Sequence, residues 1–99
     1  MRVISRSLLR EFWESPLGRE AEQPLRVWFQ EAEKASWSGP HEVKAQYPTA
    51  SILKRGRVVF NIGGNKYRLV AAIRYEKGIV FTRFVGTHAQ YDRIDAQEV

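Results

Sequence analysis

The apolar residues of this chain change period half-way along it. Up to Ala50 they recur at helical spacing, and from Ser51 they alternate. Arg2-Val3-Ile4 reads as a short first strand. Leu8, Leu9 and Phe12 then mark the inner face of a short helix that Ser5 or Ser7 can cap and that runs to about Glu14. Pro16 and Gly18 break it. Leu25, Trp28, Phe29 and Ala32 stand at i, i+3, i+4 and i+7, one apolar stripe on a second helix from about Glu20 to Ala35. Glu20 and Glu22 suit its positive end, and Pro24 fits only in its first turn. Ser38-Gly39-Pro40 stops the chain, Pro40 opens a helical turn through Ala45, and Tyr47-Pro48 ends it.

Four strand-like stretches follow, Ser51–Lys54, Arg57–Ile62, Lys66–Tyr75 and Ile79–Gly86. Arg55-Gly56, Gly63-Gly64-Asn65 and Lys77-Gly78 separate them, and such tight-turn residues predict an antiparallel meander. Helices followed by hairpins make an α+β fold. Two N-terminal helices should pack on one face of a small, mainly antiparallel sheet, with a short helical turn in the polar stretch Thr87 to Asp95. No repeat or linker interrupts the pattern, so residues 1–99 are expected to form a single domain.

Register decides which side chains meet. Val58, Phe60 and Ile62 share one face of their strand, and Tyr67, Leu69, Ala71, Ile73 and Tyr75 share one face of the next. A three-residue loop at Gly63–Asn65 would set Phe60 against Arg68. A loop of two or four residues sets it against Tyr67 or Leu69, so an even loop is expected, with Asn61, Lys66 and Arg68 neighbours on the other face. A two-residue Lys77-Gly78 turn would pair Tyr75 with Val80, Ala72 with Arg83 and Arg68 with Thr87. Asn61, Lys66, Arg68, Arg83, His88 and Tyr91 would then gather at one end of the sheet.

Charge sharpens this picture. The net charge is +5, yet residues 1–49 carry seven basic and seven acidic side chains, and the whole excess lies in residues 50–99. Residues 50–83 hold eight basic residues against Glu76 alone. Such a block attracts polyanions, nucleic acid first among them, although basic strands that merely keep a fold soluble are the plainer reading. There is no cysteine, and the histidines are His41 and His88. Disulfides, thiol catalysis, Cys-based zinc sites and three-histidine metal sites are thereby excluded. His41, beside Glu42, reads as a surface histidine without a task. The longest apolar run, Leu69 to Ile73, is far short of a membrane span, and Arg2, Arg6 and Arg10 are unlike a secretion signal. A cytoplasmic protein with no membrane contact is expected.

The clustered residues suit phosphodiester chemistry. Guanidinium forks stabilise the extra negative charge of a phosphate in transfer, a histidine moves protons, and a tyrosine hydroxyl assists. RNA brings its own nucleophile, the 2′-hydroxyl, so neither a metal nor a cofactor is required. The plainer alternative is exposed strand arginines beside a histidine at a helix cap.

The run Val58-Val59-Phe60-Asn61-Ile62-Gly63-Gly64-Asn65-Lys66-Tyr67-Arg68-Leu69, together with Gly86-Thr87-His88-Ala89-Gln90-Tyr91-Asp92-Arg93-Ile94-Asp95, resembles the HigB-type toxins of the RelE/ParE-like superfamily. Leu25-Arg26-Val27-Trp28-Phe29, Ala35-Ser36-Trp37 and Tyr47-Pro48-Thr49-Ala50-Ser51 extend the resemblance over nearly the whole chain. It implies the toxin of a type II toxin–antitoxin pair, a metal-independent endoribonuclease that cleaves messenger RNA in the ribosomal A site. It also implies a helix-turn-helix, HigA-like antitoxin, with operator DNA bound only by the toxin–antitoxin complex. Under this reading His88, Tyr91, Arg68 and Arg83 are the catalytic candidates. Asn61, Lys66, Arg57 and Lys54 are the RNA-binding ones, and Asp92 is expected to pair with an arginine. Two alternatives stay open: a ParE-like poison of DNA gyrase, which needs no catalytic histidine, and a non-catalytic RNA- or ribosome-binding module.

Overall fold

The computed structural model describes residues 1–99. In chain order the elements are β1 (Arg2–Ile4), α1 (Arg6–Trp13), a 3-10 segment (Pro16–Ala21), α2 (Glu22–Lys34) and α3 (Pro40–Gln46). Then come β2 (Ser51–Ile52), β3 (Arg57–Ile62), β4 (Tyr67–Arg74), β5 (Ile79–Thr87) and α4 (His88–Tyr91). The strands form one sheet in the order β1-β5-β4-β3-β2, antiparallel except where β1 lies beside β5. This is the expected α+β architecture.

Local chemistry explains the element boundaries. α2 begins at Glu22 with Pro24 in its first turn, where the missing N–H has no intrahelical partner to lose. Ser5 holds the N-cap position of α1, and its backbone carbonyl accepts from the Leu8 N–H at 3.1 Å. It adopts a left-handed conformation (φ 72°), its side chain bonds nothing in the helix, and it forms the corner between β1 and α1. Thr82 holds that corner: its buried hydroxyl lies 3.1 Å from the Ile4 carbonyl and 2.7 Å from that of Ser5.

The helices and one face of the sheet enclose the core. Leu9 and Phe12 of α1 and Leu25, Trp28 and Ala32 of α2 pack on Val58, Phe60, Ile62, Tyr67, Leu69, Ala71 and Ile73. Phe60 is the hub. Trp28 and Tyr47 meet it edge-on, with ring centroids 5.3 and 5.1 Å away, and Trp37 stacks at 6.3 Å. Phe60 lies opposite Leu69 and Ile62 opposite Tyr67, so the connecting loop is the four residues Gly63 to Lys66, an even loop as expected. Gly63 and Gly64 both have positive φ, 64° and 78°. Consecutive left-handed residues are costly for any side chain, so the two glycines let the loop close at this length.

The β4–β5 register differs from expectation. Tyr75–Lys77 forms a 3-10 turn closed by Gly78, so Ile73 rather than Tyr75 faces Val80. A bulge follows. Ala71 pairs with Thr82 and Val70 with Phe84, which leaves Arg83 as the extra residue, opposite neither Ala72 nor any other. The buried positions of β5 switch parity across it, from Val80 and Thr82 to Val85, and Arg68 faces Gly86 instead of Thr87.

The second face of the sheet is also partly covered. Val59 and Val70 are buried there, outside the helix-facing core. α4 packs on β4 and β5, and the residues after it reach back to Lys54, Arg57 and Arg83.

Replacing the hub, Phe60→Ala, should cost about 3–5 kcal/mol in urea unfolding, because a large ring leaves a cavity that three rigid aromatics cannot fill. A second expectation follows from Tyr47. Burial, followed by the 2.5 Å hydrogen bond to Glu31, holds its phenol above the ordinary value of 10.0. The unfolded chain loses this proton first, so the contribution is complete below about pH 10 and is lost at higher pH. Burial raises Tyr75 in the same direction. Urea midpoints should therefore fall between about pH 9 and about pH 11, and fall less in Tyr47→Phe.

Candidate active site

The β3–β4 ladder sets Asn61 directly opposite Arg68, both on the face turned away from α1 and α2. On the other side of Arg68 the β5 ladder supplies Gly86, which has no side chain to compete for the space. A Cβ there would come within 2.7 Å of Phe84 Cζ and 2.8 Å of Gln90 Oε1. The chain can thus fold back over its own strand at once. Thr87 Oγ1 accepts from the Gln90 backbone N–H at 3.2 Å, and Gln90 Oε1 accepts from the Thr87 N–H at 2.8 Å. This reciprocal cap stabilises α4, four residues that could not hold a helix unaided. His88 and Tyr91, three apart, share its face.

Arg68 connects strand and helix. Its guanidinium carbon sits 5.2 Å from the centroid of the Tyr91 ring, a cation–π contact that restricts the fork to one region. Five side-chain polar atoms in the chain are sealed from solvent without a hydrogen-bond partner, and three belong to this cluster: Asn61 Oδ1, Arg68 Nε and His88 Nε2. The Asn61 amide nitrogen is engaged, donating to the Thr49 carbonyl at 3.1 Å, which fixes the direction of the free oxygen. An unsatisfied buried polar atom costs about 1–3 kcal/mol, so three on one ladder pair and the helix packed over it are a substantial cost. The arrangement offers an acceptor, a guanidinium donor and an imidazole. No three His, Asp or Glu side chains come together in a way that could hold a metal ion.

The other expected residues lie elsewhere. Lys66 is in the loop, and its ammonium bonds Glu20 Oε2 at 3.1 Å, which holds its pKa above the ordinary lysine value. Arg83, displaced by the bulge, is exposed and donates from Nε to the backbone oxygen of Val99, the last residue, at 3.3 Å. Arg57 donates to the same oxygen through Nη1. The Lys54 side chain is exposed, and its backbone bonds the Gln97 amide. Asp92 makes no ion pair; its N–H caps α4 on the His88 carbonyl at 2.9 Å. The expected sixfold cluster is therefore Asn61, Arg68, His88 and Tyr91, with Arg57 and Arg83 as a separate pair. Gln90 and Gly86 emerge as supporting residues. The Thr87-x-x-Gln90 spacing is a readable cap signal, whereas the close approach at Gly86 is not.

The family model HigB_toxin, described as the RelE-like toxic component of a toxin-antitoxin system, matches residues 21–94, which include all four clustered side chains. The chain belongs to this HigB toxin family. Among curated relatives, the mRNA interferase toxin HigB of Escherichia coli (strain K12) is 36% identical over 61 residues, 60% of this chain and 59% of the relative. The mRNA interferase HigB proteins of Escherichia coli O157:H7 and Shigella flexneri match with the same identity and extent. The alignment thus spans about three-fifths of these relatives' length.

In this HigB-family chain the site's support can be tested apart from any activity. Gly86→Ala should push Gln90 out of the cap, cost about 1–3 kcal/mol in urea unfolding and shift the NMR signals of His88 and Tyr91. The Trp28 indole signal should stay in place. Unshifted His88 and Tyr91 signals would show that α4 does not depend on the glycine.

Proposed function

We propose that this chain is a metal-independent endoribonuclease, the toxin of a type II toxin–antitoxin system, which cleaves messenger RNA in the ribosomal A site and so arrests translation. The observation that carries this reading is the trio of sealed, unpartnered atoms, Asn61 Oδ1, Arg68 Nε and His88 Nε2, beside Tyr91. Family membership and the mRNA interferase names of the curated relatives support it. In the proposed step the RNA 2′-hydroxyl attacks the adjacent phosphorus and the bond to the 5′ oxygen breaks. The products are a 2′,3′-cyclic phosphate and a 5′-hydroxyl. The 2′-hydroxyl gives up its proton and the departing 5′ oxygen takes one up; His88 makes one of these transfers, water makes the other, and Arg68 meets the charge that builds on the non-bridging oxygens. Tyr91 holds the Arg68 fork and presents its ring to a base. Asn61 Oδ1 accepts from the nucleotide. Arg83 and Arg57 hold the backbone away from the cut, with Lys54 and Lys66 adding positive charge at the rim.

The partners proposed are messenger RNA on the ribosome and a helix-turn-helix, HigA-like antitoxin, with operator DNA bound only through the antitoxin in the complex. The cytoplasm is the compartment in which these meet; no helix of the chain is long and apolar enough to cross a membrane.

Single-turnover cleavage on programmed ribosomes tests the reading. His88→Gln should cut about 10²–10⁴-fold more slowly while still binding ribosomes. Arg68→Lys should also be impaired, because a point charge cannot replace a planar fork that can meet a phosphate with two parallel N–H groups. A His88→Gln protein that cuts at the parental rate would remove the acid–base role. A parental chain that blocks translation without cutting would favour the non-catalytic module.

A further inference from the structure

Two arginines from different strands converge on one oxygen. Arg57 of β3 donates through Nη1, and Arg83, the bulge residue of β5, donates through Nε at 3.3 Å, both to the backbone oxygen of Val99, the last residue. Arg57 lies on the same strand face as Asn61, four residues away, which is ~13 Å along the sheet. An oxygen held between two guanidinium groups at that distance from the cutting end is the arrangement a nucleic-acid phosphate requires. Here the chain's own backbone occupies it.

The occupying segment is a compact turn. Gln97 N–H donates to Asp95 Oδ1 at 2.9 Å, and the Glu98 and Val99 N–H groups donate to the Asp95 carbonyl at 2.9 and 3.0 Å. One side chain moors it to the sheet. Gln97 Nε2 donates to the Lys54 carbonyl at 2.7 Å, and Gln97 Oε1 accepts from the Lys54 N–H at 3.1 Å, so the amide acts as an extra strand residue at the hairpin edge. Beside it opens a cavity of about 720 Å³ lined by Arg55, Arg57 and Arg74 together with Gln97, Glu98 and Glu76. Glu98 belongs to the segment, so its negative charge leaves the cavity wall when the segment does.

We infer that Asp95–Val99 is a strap that fills a phosphate-binding site formed by Arg57 and Arg83, and that an RNA backbone takes the site by displacing it. This rests on the proposed function and adds a self-masking step to it. The exchange is favourable because an RNA backbone brings one phosphate to this pair and its neighbours to Arg55 and Arg74 once Glu98 has left the wall, whereas the strap offers the pair a single oxygen. The mooring at Gln97 is neutral and exposed at the sheet edge, so it can give way without disturbing the core.

The test uses a fluorescein-labelled 2′-O-methyl oligoribonucleotide, which no 2′-hydroxyl attack can cut, and reads binding by anisotropy. Gln97→Ala should bind about three- to tenfold more tightly than the parental chain, the gain expected when a competing pair of hydrogen bonds is removed. Arg57→Ala should bind more weakly and should cancel most of the Gln97→Ala gain when the two are combined. In the unmodified chain, saturating oligonucleotide should speed hydrogen exchange at the Glu98 and Val99 amides. Equal affinity for Gln97→Ala, a gain that survives without Arg57, or unchanged exchange would each overturn the strap. A chain that binds the oligonucleotide as described yet never cuts RNA would overturn the nuclease reading and leave the strap standing. Failure of every form to bind would overturn the strap, and cleavage on programmed ribosomes by the same protein would leave the nuclease reading standing.

Discussion

Phe60 is closed in by Trp28, Trp37 and Tyr47 on the helix side and faces Leu69 across the ladder. That pairing is the constraint on which the functional face depends. Side chains alternate along a strand, so a one-residue slip would turn Phe60, Ile62, Tyr67 and Leu69 outward and drive Asn61 and Arg68 into an apolar core. The aromatic cage makes the slip prohibitively expensive. A hydrophobic contact on one side of the sheet thereby positions two polar residues on the other.

The opposite face is built by economy of side chains as much as by contact. Gly86 stands where any larger residue would meet Phe84 and Gln90, and its bareness lets α4 lie over the strand it has just left. The cap between Thr87 and Gln90 then holds four residues in place, and Arg68 reaches up to the Tyr91 ring. Every member of the cluster is fixed by something outside it: Asn61 by Thr49, Arg68 by the ladder, His88 and Tyr91 by the cap. The unsatisfied atoms lie sealed from solvent among those supports. Preorganisation of this kind is what electrostatic catalysis of phosphodiester transfer requires.

Much of this was legible in the sequence, for identifiable reasons. The change from helical to alternating period reported the α+β order, and the apolar parity on either side of Gly63-Gly64 required an even loop, hence Asn61 beside Arg68. What escaped was a matter of single residues. Nothing in the mixed apolar run Ile79-Val80-Phe81 announces that Arg83 is a bulge, and Tyr75 continues the alternation of its strand although it opens a 3-10 turn. These two shifts displaced Arg83 from the expected cluster. Lys66 is drawn away from the cluster by Glu20, 46 residues earlier on the helical side, a proximity that no local pattern encodes. The strap was invisible for the same reason: Gln97 meets Lys54 across 43 residues.

The chemistry assigned to this face has a signature in its products. RNA cut on programmed ribosomes by this chain should be analysed end by end by mass spectrometry, with a parallel substrate carrying a single 2′-deoxy sugar at the cut position. Attack by the 2′-hydroxyl predicts a 2′,3′-cyclic phosphate on one fragment, a 5′-hydroxyl on the other, and no cut at the deoxy sugar. A 5′-phosphate with a 3′-hydroxyl, or cleavage that passes through the deoxy position, would contradict it.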